Sequence, residues 1–372
     1  MKRKLASHTI YLIFPASDIP DDVQPVLQVS PPSQDTNDHT SLIQDAIDSV
    51  QQWPLQANGF RGTVQLSPGI YNVTSRLRVS ESGIVVRGLG HLQEAEDAGN
   101  YILVTGQDEM YLPLFSVRGG YADPEWTLDE DRAQPLVSSF VPVGAKTIEL
   151  PNACAFHIGQ DVVIRRNASI EWIRDLKMDE IDNPWPIENM DYARVVTRID
   201  EDHCRFLTLN APLVTAMDAR YGVGLVIPIL EWRETIENVG IERILAISIY
   251  SDVDDLYHAG AMVEPHHVRH SWFRELTAVH FSRAIVDMTR YESAGHTNSH
   301  LSIIDCNFLD PIGKLQWGWT HLGLKIRGHL HLVLGCYSRG SAFDFVTASG
   351  THGPHVFAYC TAENGFEAVR PH

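Results

Sequence analysis

The chain has 372 residues and a formal charge of −18, with 29 Lys and Arg against 47 Asp and Glu. That deficit excludes nucleic acid as a general partner, because a phosphate backbone is held by clustered cations. Hydrophobic residues make up 44% of the chain beside 26 Gly and 20 Pro, a composition that suits one loop-rich solenoid with a smaller insert rather than a disordered polymer.

Residues 1–34 read as an N-terminal extension. MKRKLASHTIYLIFPA has a basic start, but its apolar stretch is short and broken by Ser7 and His8, so it makes a poor secretory signal. No segment is long and apolar enough for a membrane span. Residues 35–105 are expected to hold a capping helix and the first coils of a β solenoid. Ser41 and Gln44 fit an S-x-x-Q capping box, with Leu42, Ile43, Ala46, Ile47 and Val50 on one helical stripe. GTVQLSPGIYNVTSRLRVSESGIVVRGLG (62–90) then alternates through Val64/Leu66, Leu77/Val79 and Ile84/Val86, with turns at Pro68-Gly69 and Ser82-Gly83. A solenoid exposes the end of its apolar core, so an amphipathic helix before the first coil is expected to act as a lid.

Residues 106–235 break this pattern. The segments 138–166 and 192–209 alternate like antiparallel strands, and a short charged stretch between them carries Trp172 and Trp185. This predicts a small β-rich insertion whose Trp residues either pack or stack on sugar rings.

The final section, 236–372, is expected to form the main coils. An imperfect phrase returns five times: IERILAISIYS (241–251), WFRELTAVHFS (272–282), HLSIIDCNFLD (300–310), HLVLGCYSRGS (331–341) and HVFAYCTAENG (355–365). Its small anchors are Ala246, Ala278, Cys306, Cys336 and Cys360, separated by 32, 28, 30 and 24 residues. Each unit is one short strand plus polar punctuation, too short for a strand–helix–strand unit, and stacking is what lets it bury an apolar face. The fold expected is all-β: a right-handed parallel β-helix with an N-terminal capping helix and a small β-rich insertion. The anchors should face inward in one ladder, with the Cys residues acting as small apolar side chains. Five widely spaced Cys and no C-x-x-C give little support to a metal or nucleophile role.

The run SLIQDAIDSV…GTVQLSPGIYNVTSRLRVSESGIVVRGLG resembles the opening of pectate-lyase-superfamily β-helix proteins, where an IQ-x-AID helix precedes G-x-V-x-x-P-x-G-x-Y. APLVTAMDARYG (211–222), ENVGIERI (237–244), DVDDLYHA (252–259), the tract 338–363 and the closing RPH resemble a secreted, bacterial-type branch of that superfamily. The resemblance implies an extracellular or periplasmic location and an insertion walling a groove beside the barrel. It implies no single chemistry, since the superfamily includes lyases, hydrolases, epimerases and non-enzymes.

Residues 258–372 hold nine basic and nine acidic residues but thirteen of the 18 His. Such a charge-balanced, His-rich face on an acidic molecule is where an anionic substrate could approach, if the His do not merely decorate turns. Elimination from a uronic acid needs a cation to neutralise the carboxylate and a base for the adjacent proton. Lys325, Arg327 and Arg339 on neighbouring coils, with His321, His329, His331, His352 and His355 beside them and Arg290 and His258 earlier, could supply both. Hydrolysis needs two carboxylic acids, for which Asp252, Asp254, Asp255, Glu264 and Asp344 are available. The D-x-D-D turn at Asp252, Asp254 and Asp255 could instead hold Ca²⁺, or be a solvated turn. Trp317 and Trp319, alternating in a Gly-rich loop, are candidates for stacking on sugar.

In the resembling branch a His lies in D-E-x-H-A-W and an Asp in G-R-H-D-F-V. This chain has DDLYHAG and GSAFDFV, keeping His258 and Asp344 but not the flanking Trp, Arg and His. The expected catalytic set is therefore His258, Lys325, Arg327 and Asp344. Substrate binding is expected from Arg290, Trp317, Trp319, His321, Arg339, His352 and His355. The favoured function is a polysaccharide lyase on an acidic polysaccharide or oligosaccharide. The alternatives are a non-catalytic glycan-binding or surface-assembly β-helix, or a hydrolase using Asp254 or Asp255 with Asp344. The resembling branch continues past its closing phrase. An open last coil leaves unpaired edges, so the chain is expected to be a fragment or to meet a second chain at that end.

Overall fold

The computed structural model describes residues 19–31, 38–89, 101–104, 112–120, 126–181, 188–289, 298–316, 320–348 and 351–365. Three parallel sheets wind together. The first runs from Val26–Val29 through Gly62–Leu66, Ile84–Arg87, Gly240–Glu242, Val268–Arg274, Asn298–Ile304 and Leu332–Leu334 to Val356–Ala358. The second stacks Ile70–Val73, Tyr101–Val104, Leu245–Ser248, Thr277–Val279, Asn307–Leu309, Tyr337–Arg339 and Thr361–Glu363. The third stacks Leu77–Val79, Phe115–Arg118, Ala261–His266, Ala284–Asp287, Gly323–Ile326 and Phe345–Thr347. The protein is a parallel β-helix.

Alternation along each strand sends every second side chain inward, and parallel register stacks those residues from coil to coil. Ile241, Phe273, Ile303 and Val333 form one such file in the first sheet and belong to a single continuous core. Between the first and second sheets the coils from Gly240–Glu242 onward each turn on one residue in the left-handed region: Arg243, Glu275, Asp305, Gly335 and Tyr359. Only Gly335 adopts that conformation without a Cβ penalty of roughly 1–2 kcal/mol. The turns persist because the ladder runs through them. The N–H of Arg243, Glu275, Asp305 and Gly335 donates to the next coil at 3.0, 2.9, 2.8 and 2.9 Å.

The inward ladder of small residues divides in two. Cys306 and Cys336 are free and buried, and the free Cys360 is half-buried against the core. All three directly follow the left-handed turn, where earlier coils have Ile244 and Leu276. Ala246 pairs with Ala278, and Ala278 with Phe308 rather than with a Cys. The anchors therefore slip by two residues between repeats, which preserves the inward face because the side-chain period is two.

Helix α1 (Thr40–Gln51) covers the first coil, with Ile43, Ala46, Ile47 and Val50 buried and Leu42 exposed. The capping box does not form. His39 occupies the N-cap without a side-chain capping bond, its Nδ1 accepting instead from Asn72 N at 3.0 Å, and Ser41 lies inside the helix. Gln44 is instead drawn to the open strand edge, where its Oε1 accepts from Arg78 N at 2.8 Å and its Nε2 donates to Arg78 O at 3.1 Å. Gln51 Oε1 accepts from Ser80 N at 2.7 Å, and Thr40 Oγ1 from Thr74 N at 3.0 Å.

The chain leaves the barrel after Phe115–Arg118, which is itself a strand of the third sheet. It builds a mainly antiparallel insert between Trp126–Leu128 and Leu225–Trp232, and returns at Ile236–Glu237. The insert has its own apolar core around Ile148, Phe156, Ile164, Tyr192 and Leu207. A Cys154–Cys204 disulfide, with Cα atoms 5.0 Å apart, staples it. The odd cysteine count and wide spacing concealed this pair.

Histidines line the seam where the insert meets the barrel. His329 and His331 have no exposure. The His329 ring lies 6.0 Å from Trp126 and 5.2 Å from His352, and His352 lies 5.4 Å from Tyr192. His331 stacks on His355 at 5.0 Å. Arg194, 1% exposed, donates to the carbonyls of Ala193 and Pro212, and burial lowers its pKa to about 10. Ala211 packs on Leu330 and Leu332. Much of the His-rich section therefore faces protein rather than an anion. Burial pushes His331 well below the usual imidazole value, and burial with the nearby Arg194 lowers His355 to about 4.

Two outcomes follow from the insert and its seam. Opening the 50-residue Cys154–Cys204 loop by replacing both with Ser should cost the insert about 2–4 kcal/mol. Hydrogen exchange should then accelerate in Phe206–Leu209 but not in Val268–Arg274; equal acceleration would contradict an insert with its own core. The second outcome concerns acid. Unfolded imidazoles titrate near 6.5, so between pH 6.5 and about 4 the unfolded chain binds more protons than the native one at His355. Stability should be full above pH 6.5 and fall as pH drops through this window. The loss from this position should be on the order of 2 kcal/mol. Denaturant titrations at pH 7.5 and 4.5 should show a smaller fall for His355→Asn, and an identical fall in both proteins would refute the assignment.

Candidate functional site

The third sheet presents a continuous polar file on its outer face. Its inward residues, Leu77, Val79, Phe115, Val117, Val263, Val286, Met288, Leu324 and Ile326, belong to the core, so the residues between them point outward. Arg78 pairs with Ser116, and Ser116 with Glu264. Val263 pairs with Val286, which sets Glu264 beside Asp287, and Asp287 pairs with Lys325. The file Arg78, Ser116, Glu264, Asp287, Lys325 thus crosses five coils at a rise of about 4.8 Å each. A second file lies two residues on, where Arg118 pairs with His266 and Arg327 follows Lys325.

Glu264 and Asp287 face outward yet are only 4% and 1% exposed. Asp287 Oδ1 accepts from Thr289 N at 2.9 Å and Thr289 Oγ1 at 2.7 Å, and its Oδ2 is bonded by Arg283. A carboxylate held in this way has a fixed geometry. At the upstream end of the files a cavity of about 410 Å³ opens between Arg76, Arg78, Ser116 and Arg118. Lys325 and Arg327 sit half-buried toward the other end.

Of the four expected catalytic residues, the structure brings together Lys325 and Arg327. His258 lies in the turn between the second and third sheets. Its Nδ1 is 2.8 Å from Ser248 Oγ and its Nε2 is 3.0 Å from Ile312 O. With both ring nitrogens engaged and burial lowering its pKa, it clamps neighbouring coils instead of facing solvent. His321 does similar work, with Nε2 3.0 Å from Gly313 O and its pKa lowered by burial. Asp344 precedes the last strand of the third sheet, and burial raises its carboxyl pKa. Its carbonyl accepts from Leu324 N at 2.9 Å. A Cβ on Gly323, whose φ is +58°, would meet that carbonyl at 2.2 Å.

The expected binding residues are dispersed. Arg339 lies on the outer face of the second sheet, paired with Asp310 at 2.9 Å. His352 and His355 belong to the insert seam. Arg290, Trp317 and Trp319 lie outside the described residues. The acidic turn is not arranged around a cation. Asp255 accepts from Ser251 N and Oγ and from Tyr257 N at 2.8, 2.9 and 2.8 Å. Burial raises its carboxyl pKa, but these donors outweigh burial and lower it. Asp252 accepts from Asp254 N at 2.9 Å. Among the described residues, no group of three or more His, Cys, Asp or Glu side chains could hold a metal ion.

Sequence reasoning did not find Asp287, Arg76, Arg78, Ser116 or Arg118. Their signal is alternation in strands of the third sheet, but the insertion separates Ser116 from Glu264 along the chain and hides that they are neighbours.

Among the described residues, no helix is long and apolar enough to cross a membrane. No protein-family model matches the chain, and no curated protein is similar to it in sequence. Some solved structures are similar to it. The tailspike protein gp49 from Pseudomonas phage LKA1 is 12% identical over 87% of this chain and 56% of its own, with a TM-score of 0.30. The Gp54 tailspike of Acinetobacter baumannii bacteriophage AP22, solved with A. baumannii capsular saccharide, is 10% identical over 88% and 55%, with a TM-score of 0.31. A Parabacteroides merdae protein, provisionally described as a glycosyl hydrolase, is 8% identical over 90% and 96%, with a TM-score of 0.41. The chain thus spans a little over half the length of these tailspikes.

Proposed function

We propose that this chain is a carbohydrate-active enzyme that binds an acidic polysaccharide along the outer face of the third sheet and cleaves it by β-elimination. The supporting observation is the file Arg78, Ser116, Glu264, Asp287, Lys325, which lines up cations and carboxylates across successive coils. A file parallel to the barrel axis suits an extended polymer. In this reading Lys325 and Arg327 neutralise a uronate carboxylate, which acidifies the adjacent C–H. A base of the same file, Glu264, takes that proton. The electron pair left behind forms a C=C bond as the glycosidic C–O bond breaks, and the departing oxygen takes a proton from water. The Cys154–Cys204 disulfide favours an oxidising location outside the cytosol.

A second reading, hydrolysis, is favoured by one observation. Glu264 and Asp287 stand on adjacent coils, whose main chains are about 4.8 Å apart, and glycosidases act through a pair of carboxyl groups.

Product chemistry tests both. Incubation with galacturonate, glucuronate and mannuronate–guluronate polymers and with bacterial capsular saccharides should raise the ultraviolet absorbance of an unsaturated uronate. Replacing Lys325 and Arg327 together with Ala should lower that rate at least about 100-fold and leave the circular dichroism unchanged. New reducing ends without the absorbance, lost in Glu264→Gln or Asp287→Asn, would establish hydrolysis instead. Saturable binding without products would make the chain a glycan-binding module.

A further inference from the structure

We infer that the cavity between Arg76, Arg78 and Arg118 is an anchoring subsite for the carboxylate of an acidic sugar, separate from the residues proposed to cleave. The inference rests on the reading of the third-sheet face as a polysaccharide track, and it assigns the chemical feature by which the track selects its polymer.

The seven residues lining the cavity are Arg76, Arg78, Val79, Ser80, Ser116, Arg118 and Gly119. Three are arginines and none is acidic, in a chain with 47 acidic against 29 basic residues. Several other guanidinium groups of the protein are held in close ion pairs. Arg165 bonds Asp191 and Glu130, Arg274 bonds Glu242, Arg339 bonds Asp310 and Arg283 bonds Asp287. Arg76 and Arg78 have no ion pair among the described residues. Both flank Leu77, whose inward side chain fixes that short strand in the core. Gln44 bonds the main chain of Arg78 on both sides, so the backbone carrying these arginines is held while their side chains remain available. Ser116, the next residue of the file, adds a hydroxyl to the same wall.

Planar guanidinium forks match the two oxygens of a carboxylate, and they do so best where surrounding walls limit access of water. The acidic remainder of the molecule repels a polyanion in general, so this patch of one sign sets where the polymer touches down. Glu264 lies two coils from Arg78 along the file, about 10 Å at the usual strand spacing. A carboxylate docked in the cavity would therefore fix the register of the polymer on the downstream carboxylates and Lys325.

The test compares the intact chain with the variant Arg76→Ala, Arg78→Ala by calorimetry. The probes are polymers of galacturonate, glucuronate and mannuronate–guluronate, each beside its carboxyl-reduced form, with dextran sulfate as a further polyanion. The intact chain should bind at least one carboxylated polymer and bind its reduced form far more weakly. The double variant should bind the carboxylated polymer roughly 10-fold or more weakly, with KM raised and kcat retained where cleavage occurs. Arg76→Lys, Arg78→Lys should recover part of the loss, since charge returns without the fork. Equal affinity in the Ala variant would overturn the subsite, and cleavage by the intact chain would then leave the proposed function standing. Binding that ignores carboxyl reduction, or no binding to any probe, would also overturn it. Equally strong binding of dextran sulfate would overturn the carboxylate assignment in favour of a general oxyanion site. Carboxyl-dependent binding without products would keep the subsite and discard the cleavage reading.

Discussion

The hydrogen-bond ladder between successive coils is the constraint on which the rest of this structure depends. It runs along three sheets and continues through the one-residue turns, where Arg243, Glu275, Asp305 and Gly335 each donate to the coil that follows. A residue with a Cβ in the left-handed region is unfavourable, and three of these four pay that cost. They hold it because leaving the turn would remove an inter-coil bond and shift the register of two sheets together. Fixed register then does two things at once. It files Ile241, Phe273, Ile303 and Val333 into the core, and it files Arg78, Ser116, Glu264, Asp287 and Lys325 on the outside.

A ladder of this kind has open ends, and the first end shows how side chains can close one. Helix α1 brings an apolar stripe to the core, but the backbone groups within its length are bonded inside the helix and cannot pair with a strand edge. Gln44, Gln51 and Thr40 supply them from side chains, bonding the main chain of Arg78, Ser80 and Thr74. This explains why Gln44 serves the barrel and not its own helix terminus. The strand edge presents a donor and an acceptor that water would otherwise have to satisfy, whereas the helix start is already served by Asp38, whose Oδ1 accepts from Thr40 N at 2.9 Å.

The winding was legible because it is written in local periodicity: small inward residues, polar punctuation and strands of even spacing. The slip of two residues between Ala278 and Cys306 was invisible for the same reason, since either register buries a small side chain. The site was less legible. Lys325 and Arg327 could be found because they stand on one strand and alternate with Leu324 and Ile326. His258 and His321 could not be separated from catalytic histidines by sequence, because a turn clamp and a general base call for the same side chain. Only engagement of both His258 ring nitrogens by Ser248 and Ile312 distinguishes them. The histidine-rich section misled in sign as well as place: burial against the insert favours neutral imidazoles, and such a surface does not attract an anion. Asp287 and Arg78 were hidden by the insertion, which moves adjacent coils far apart along the chain.

Charge placement ties the fold to the proposed chemistry. On the outer face of the first sheet, Glu242 is completely buried and receives Arg87, Arg274 and Trp272. Burial alone would raise its carboxyl pKa, but the donors outweigh burial and hold it below the ordinary value. That cluster is closed: every carboxylate oxygen is used, and the N-terminal segment covers it through Asp21 and Pro20. A closed cluster of this kind fixes local geometry and has no capacity for a ligand. The third sheet differs in kind. Asp287 is equally buried and equally well bonded, but the same file continues upstream to Arg78, whose guanidinium is exposed and opens into a cavity. Both faces are produced by the same register rule, so the difference between them lies in what covers each one. Among the described residues, the insert and the N-terminal segment spend their contacts on the first sheet and its adjoining turn, and Arg78 at the upstream end of the third-sheet file stays exposed.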